Sequence, residues 1–171
     1  VRKQIAIFIP LYLDSAYDAS GNYRFGKTMP AYFNQGLEVY EGVQLAIDSL
    51  TKENVAVDIH IFDSRASKNK LEILAQDSNF QKMNLLIGHV NVNEAASLAR
   101  TAANMHIPFI NINLPNDAGI TGNKDYIILN PTLSSHAASI YRHIQKNYAL
   151  SPIIYIRKKG TQEDRLKKYF T

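Results

Sequence analysis

Between Met83 and Pro115 the chain reads MNLLIGHVNVNEAASLARTAANMHIPFININLP, which is the pattern of a strand, a turn, a helix and a second strand. Leu85, Leu86 and Ile87 form a short unbroken apolar run closed by Gly88, as expected of a strand covered on both faces and therefore of a parallel sheet. Ala95, Leu98, Ala99, Ala102 and Ala103 then recur at helical spacing and are mostly small enough to lie close to a sheet. Asn91 with Glu94 three residues on, or Asn93 alone, can satisfy the free amides of the first helical turn. Ile107-Pro108-Phe109-Ile110 restarts a strand. A strand-helix-strand unit with joints this short is right-handed in nearly all known cases. The turn from Gly88 to Asn93 therefore opens at the carboxyl end of the sheet, the rim at which open α/β sheets hold ligands.

The flanking segments extend the alternation. Ile5 to Ile9 is a first buried strand that stops at Pro10, because proline donates nothing to a ladder. From Leu11 to Glu38 no periodicity is sustained, and a connection this long is usually functional or disordered. Tyr12, Tyr17, Tyr23, Phe25, Tyr32 and Phe33 argue for order, either as a lip over a ligand or as a loop packed on its own domain. Val39, Val43, Ala46, Ile47 and Leu50 predict a helix over 39–51. Val55 to Phe62 alternates with Asp58 and His60 on one face, the pattern of an edge strand, and brings Asp63-Ser64-Arg65 to the same rim. A second helix should run through Leu71, Leu74 and Ala75 from near Ser67 or Asn69, and a fifth strand through 126–129. Thr132, Ser134 or Ser135 can cap a helix with Ala137, Ile140, Tyr141, Ile144 and Tyr148 on one face. Ile153 to Ile156 reads as a sixth strand, and Thr161 with Asp164 as the capping box of a last helix. The stop soon after reads as a chain cut short of its second domain.

Composition narrows the function classes. With 171 residues, 46% hydrophobic and 20% charged, the chain is of ordinary globular type, and no apolar run approaches the ~20 residues of a membrane helix. The absence of cysteine excludes disulfides, thiolate metal sites and cysteine nucleophiles. The net charge of +4 comes wholly from residues 157–168, a basic tail on a neutral body, which is the pattern of a solvated helix face and not of a nucleic-acid surface. No glycine-rich dinucleotide fingerprint, P-loop or nucleophile elbow occurs, and the five histidines lack metal-ligand spacing. The expectation is no cofactor, no metal and no catalytic activity. What remains is a rim rich in amides, Asn91, Asn93, Asn111, Asn113 and Asn116, near helix N-termini whose N–H groups favour carboxylates. Tyr12, Ser64, Asn91, Asn93, Asn113 and Asn116 are the candidate ligand-binding residues.

The succession IAIFIPLYLD, YEGVQLAIDSL, VDIHIFDSRA, LLIGHVNVNEAASLARTAANMHIPFINI and YIILNPTLSSHAASI resembles type I periplasmic binding proteins of the branched-chain amino-acid receptor family. The first loop with YEGVQLAIDSL is similar to a Bacteroidetes variant of this domain often found beside peptidoglycan-binding LysM modules. The resemblance implies a three-layer α/β/α lobe with a central parallel sheet in the order 2-1-3-4-5 over residues 1–122, with 123–171 forming the crossover and the start of a second lobe. It also implies a periplasmic or cell-surface setting and a small ligand: an amino acid, a peptide or a cell-wall fragment. The alternative is a module of the same fold that docks an envelope enzyme or transporter. Where the amino-acid receptors carry Ser and Thr, this chain has Asn91-Val92-Asn93-Glu94 and Asn113-Leu114-Pro115-Asn116, so Glu94 is expected to repel a ligand carboxylate.

Overall fold

The run from Ile5 to Ile9 offers no polar position to turn toward water, and it becomes the interior strand β1 (Lys3–Ile9). The computed structural model describes residues 2–67, 70–113 and 118–169. It pairs β1 with β2 (Val57–Asp63) on one side and with β3 (Leu85–Gly88) on the other, followed outward by β4 (Phe109–Asn111) and β5 (Tyr126–Ile128). Every pairing is parallel and the order is β2-β1-β3-β4-β5, as the sequence reading expects. The alternating strand β2 lies at an edge, where Asp58 accepts hydrogen bonds of 2.6 Å from both Arg2 and Gln4. Charged side chains of this kind blunt an edge against further pairing.

The topology puts helices on both faces. β2 lies on one side of β1 while β3 and β4 lie on the other, so right-handed crossovers place the first long helix, α2 (Asn34–Lys52), opposite α3 (Leu71–Leu74) and α4 (Val92–Met105). On the α3 and α4 face, Ala6, Phe8, Leu86 and Phe109 pack with Leu74, Phe80, Leu98 and Ala102 into one buried cluster. Phe8 stacks on Phe62 with ring centroids 5.2 Å apart, and Phe80 meets both edge-on at 6.1 Å. The alternate residues Ile7 and Ile9 are buried on the opposite face.

Before Leu129, three elements differ from the sequence expectation. α2 starts at Asn34, five residues before Val39, because Gly36 is a helical residue and not a breaker. A Cβ there would collide with the backbone of Pro10, so the glycine lets the first turn press against the end of β1. The long loop contains one helical turn, α1 (Leu13–Ala16), and a 3₁₀ turn over Ala31–Phe33. α3 is a single turn followed by a 3₁₀ turn over Phe80–Lys82, and the start expected at Asn69 lies outside the described residues.

Backbone contacts group Val1–Leu129 as one compact unit and Asn130–Thr171 as another. The second unit holds α5 (Leu133–Tyr148), capped by the Thr132 side chain, and α6 (Thr161–Lys167). The capping box expected at Thr161 is absent: Gly160 occupies the N-cap without a side-chain bond, and Asp164 pairs with Arg157 at 2.5 Å. Ile153 to Ile156 is irregular, with Ile154 82% and Ile156 90% exposed. A strand exists only through a neighbour's backbone, and among the described residues none pairs with this run. No helix among the described residues is long and apolar enough to cross a membrane.

Candidate functional site

The parallel register fixes where the strand exits lie. Ile9 is opposite Asp63, Phe8 opposite Gly88, and Gly88 opposite Asn111, so the loops after β1, β2, β3 and β4 leave from one border of the sheet. Asp63 organises that border. It is 4% exposed, and its carboxylate accepts from the backbone amides of Leu11, Tyr12, Leu13 and Arg65 at 2.8–3.1 Å. The loop after β1 is thereby tied to the end of β2. Asp14 adds a second tie by accepting from the amide and hydroxyl of Ser67 at 2.9 and 3.2 Å.

Tyr12 is held in the left-handed region at φ 57°, ψ 34°, a conformation that costs a non-glycine residue about 1 kcal/mol or more. The Asp63 bond to its amide and ring contacts with Tyr32 (5.0 Å) and Phe33 (5.9 Å) hold it there. The chain of ring contacts continues from Phe33 to Phe25, Tyr23 and Tyr17, so the long loop is packed largely on itself. Tyr17, Tyr23 and Tyr32 nevertheless keep 38–47% of their surface exposed.

Across the rim, the Arg65 guanidinium lies 5.7 Å from the centre of the Tyr12 ring and donates to Glu94 Oε1 at 3.0 Å. The other Glu94 oxygen accepts from the Asn91 amide, while Asn91 Oδ1 accepts from the Glu94 amide, both at 2.9 Å, completing the expected capping box at α4. Glu94 is therefore not a free negative charge. Its pairing with Arg65 and its place at a helix N-terminus offset the repulsion that the sequence alone implies. Asn111, fully buried, donates to the Tyr126 hydroxyl and accepts from the Asn113 amide, and the Asn113 side chain donates to the Val90 carbonyl.

The six candidates thus separate by role. Asn91 caps α4, Asn113 ties the loop after β4 to the loop after β3, and Tyr12 anchors the loop after β1 beneath Arg65. Ser64 and Asn93 share the wall of a cavity of about 230 Å³ under the rim between α3 and α4. Asn116 lies outside the described residues. Phe8, Leu71, Val90 and Leu98 form the apolar side of the cavity; Lys70, Glu94 and Ser97 complete the polar side. The Ser64 hydroxyl oxygen is buried with no hydrogen-bond partner among the described residues. Buried polar atoms in folded proteins are otherwise nearly always partnered. Beside this rim His89 is half-buried, and its pKa is lowered from 6.5 by that burial, with a hydrogen bond to its own backbone partly opposing.

The sequence puts Asp63 and Arg65 on the rim, but spacing alone assigns them no role there. The available signal was an acid ending an edge strand next to a strand whose exit must be held. Lys70 and Ser97 carried no signal of their own, because their place on one wall depends on how α3 sits against α4. Comparison of the chain with protein families, with curated proteins and with solved structures finds no match.

Proposed function

We propose that the chain belongs to a non-catalytic, extracytoplasmic solute-binding or sensing protein of the type I periplasmic binding class, taking a small ligand at the carboxyl ends of its parallel strands. The observation that carries this reading is the cavity of about 230 Å³ at that border, with Asn93, Glu94, Ser97 and Lys70 among its lining residues. Open α/β sheets hold ligands at this border, and a largely apolar hollow with a few convergent polar groups is the usual form of a small-molecule site. A solute that binds only the folded chain raises its unfolding temperature by mass action. Thermal-shift screening of the chain against amino acids, small carboxylates, peptides and cell-wall fragments should yield at least one stabilising class, and no stabilisation by any class overturns the reading.

A second reading, docking of an envelope enzyme or transporter, is favoured by the loop from Tyr12 to Phe33. Its exposed Tyr17, Tyr23, Met29 and Tyr32 cluster beside a rim whose amides are largely spent on internal ties. Aromatic side chains of this kind are enriched where proteins meet. Shortening the loop over 18–29 should abolish recovery of an envelope partner, and unchanged recovery dismisses the idea.

A further inference from the structure

We infer that β2 joins its own counterpart in a second copy of the chain, antiparallel and edge to edge, with His60 at the twofold axis. The backbone register identifies the free groups. The Lys3 amide donates to the Ala56 carbonyl at 3.1 Å and the Ser64 amide to the Ile9 carbonyl at 2.8 Å, which sets the phase of the parallel ladder between β1 and β2. Successive residues of a strand turn their amides and carbonyls to opposite sides. Asp58, His60 and Phe62 therefore face β1, while Val57, Ile59, Ile61 and Asp63 face the open edge. Val57 and Asp63 are already engaged there: the Val57 amide donates to Val55, its carbonyl accepts from Arg2, and the Asp63 carbonyl accepts from Ala66. Arg2 and Asp58 thus guard only the start of the edge. Between these positions, the outward backbone groups of Ile59 and Ile61 have no partner among the described residues. Open hollows border the strand on both faces, one lined by Ile47, Leu50 and Thr51 and the other by Leu74, Phe80 and Met83, so no helix closes over that edge.

An edge of this kind is a template for another strand, and the engaged positions select the register. With His60 opposite the partner's His60, Ile59 meets the partner's Ile61 and Ile61 meets the partner's Ile59. Each of these pairs exchanges both of its N–H···O bonds. Moving the axis to Ile59 sets Ile61 against the partner's Val57, and moving it to Ile61 sets Ile59 against the partner's Asp63, both of which are already engaged. The His60 register also stacks isoleucine on isoleucine twice on the face that carries α2, a favourable cross-strand pairing. Charge then favours a second copy over an unrelated strand. Val57 lies opposite the partner's Asp63, which brings the exposed Arg2 beside Val57 toward the partner's Asp14, exposed beside the hollow at Ile61 and Asp63. Twofold symmetry makes this attraction twice.

The test uses the chain as it stands. Sedimentation equilibrium should show monomer and dimer with a dissociation constant on the order of 100 µM or tighter, the scale of a small interface, and a chain that stays monomeric to about 1 mM overturns the inference. Ile61→Pro removes an outward amide and leaves the bonds to β1 in place, the situation in which an edge strand accepts proline. It deletes half of the bonds between the copies and should weaken the dimer about tenfold or more. Unchanged dimerisation of the folded variant overturns the inference. Hydrogen exchange of the parent chain decides without any substitution: the Ile59 and Ile61 amides should slow as concentration passes through the dissociation constant, while those of Asp58 and Phe62 hold one rate throughout. A dimer that leaves Ile59 and Ile61 unprotected uses another surface and overturns it. Arg2→Glu and Asp14→Lys should each weaken self-association about two- to fivefold, and a mixture of the two variants, in which both contacts are again attractive, should recover the parental affinity. No recovery in the mixture refutes the register. Solute binding is independent of this edge, so failure here leaves that reading untouched.

Discussion

Replacing Asp63 by asparagine keeps the side-chain shape and removes the charge that gathers four backbone amides. Oδ1 accepts from Leu11, Tyr12 and Arg65, and Oδ2 from Leu13, at 2.8–3.1 Å. In its less damaging orientation the asparagine amide nitrogen takes the Oδ2 position and faces the Leu13 N–H, so one charge-assisted bond is lost, a change of about 1.5–3 kcal/mol. The other three change from charged to neutral acceptors, at roughly 0.5 kcal/mol each. Rehydration of a loop at the sheet border recovers part of this, leaving an expected loss of about 2–4 kcal/mol from a total that for such domains is about 5–15 kcal/mol. Urea denaturation followed by far-ultraviolet circular dichroism reads this as a midpoint lowered by about 1–2 M. Hydrogen exchange should show the amides of Leu11 to Leu13 losing protection ahead of those of β3. A loss below about 0.5 kcal/mol, the level of an ordinary surface substitution, refutes the role given to Asp63.

The two helical glycines of α2 should respond with opposite signs. Gly42→Ala meets no atom within 4 Å and should stabilise by up to about 1 kcal/mol, whereas Gly36→Ala drives a methyl into the Pro10 backbone and should destabilise by about 1–3 kcal/mol, both read by urea midpoints. Asn91→Ala removes half of the α4 capping box and should cost about 1 kcal/mol of stability, while Asn93→Ala should stay within about 0.5 kcal/mol and act only on solute binding. His89 sets a pH signature. Its folded pKa lies below 6.5, so the unfolded chain takes up the proton first; stability is full above 6.5 and falls as the pH drops from there toward the folded value. Thermal midpoints measured from pH 7.5 to 5 should show this decline in the parent chain and a flatter profile in His89→Gln.

The central strand-helix-strand unit was legible because local signals and tertiary structure agree there. Leu85 to Ile87 is apolar enough to be covered on both faces, the alanines of α4 suit a helix laid on a sheet, and Asn91 with Glu94 supplies the cap. The edge position of β2 was legible from Asp58 and His60. The start of α2 was not, because Gly36 carries the same letter whether it breaks a helix or lets one approach Pro10. Ile153 to Ile156 has the composition of a strand, but a strand is made by its partner, which composition cannot supply. At the rim, the sequence gives the asparagines and not their obligations. Whether Asn91 caps a helix or meets a ligand, and whether Glu94 repels or is neutralised, depends on Arg65 arriving from a loop beyond β1 in the sheet. The cavity depends in turn on the seating of a one-turn helix that periodicity barely marks.

Whether solute enters beneath the carboxyl rim is reported directly by amide-resolved NMR titration of the chain with each solute that stabilises it in the thermal-shift screen. Saturable shifts are expected to gather at Ser64, Lys70, Asn93, Glu94 and Ser97, with β2 residues Val57 to Ile59 at the far end of the sheet unmoved. Shifts that gather instead on the aromatic loop or at that far end, or no saturable shifts with any solute, contradict solute binding at the rim.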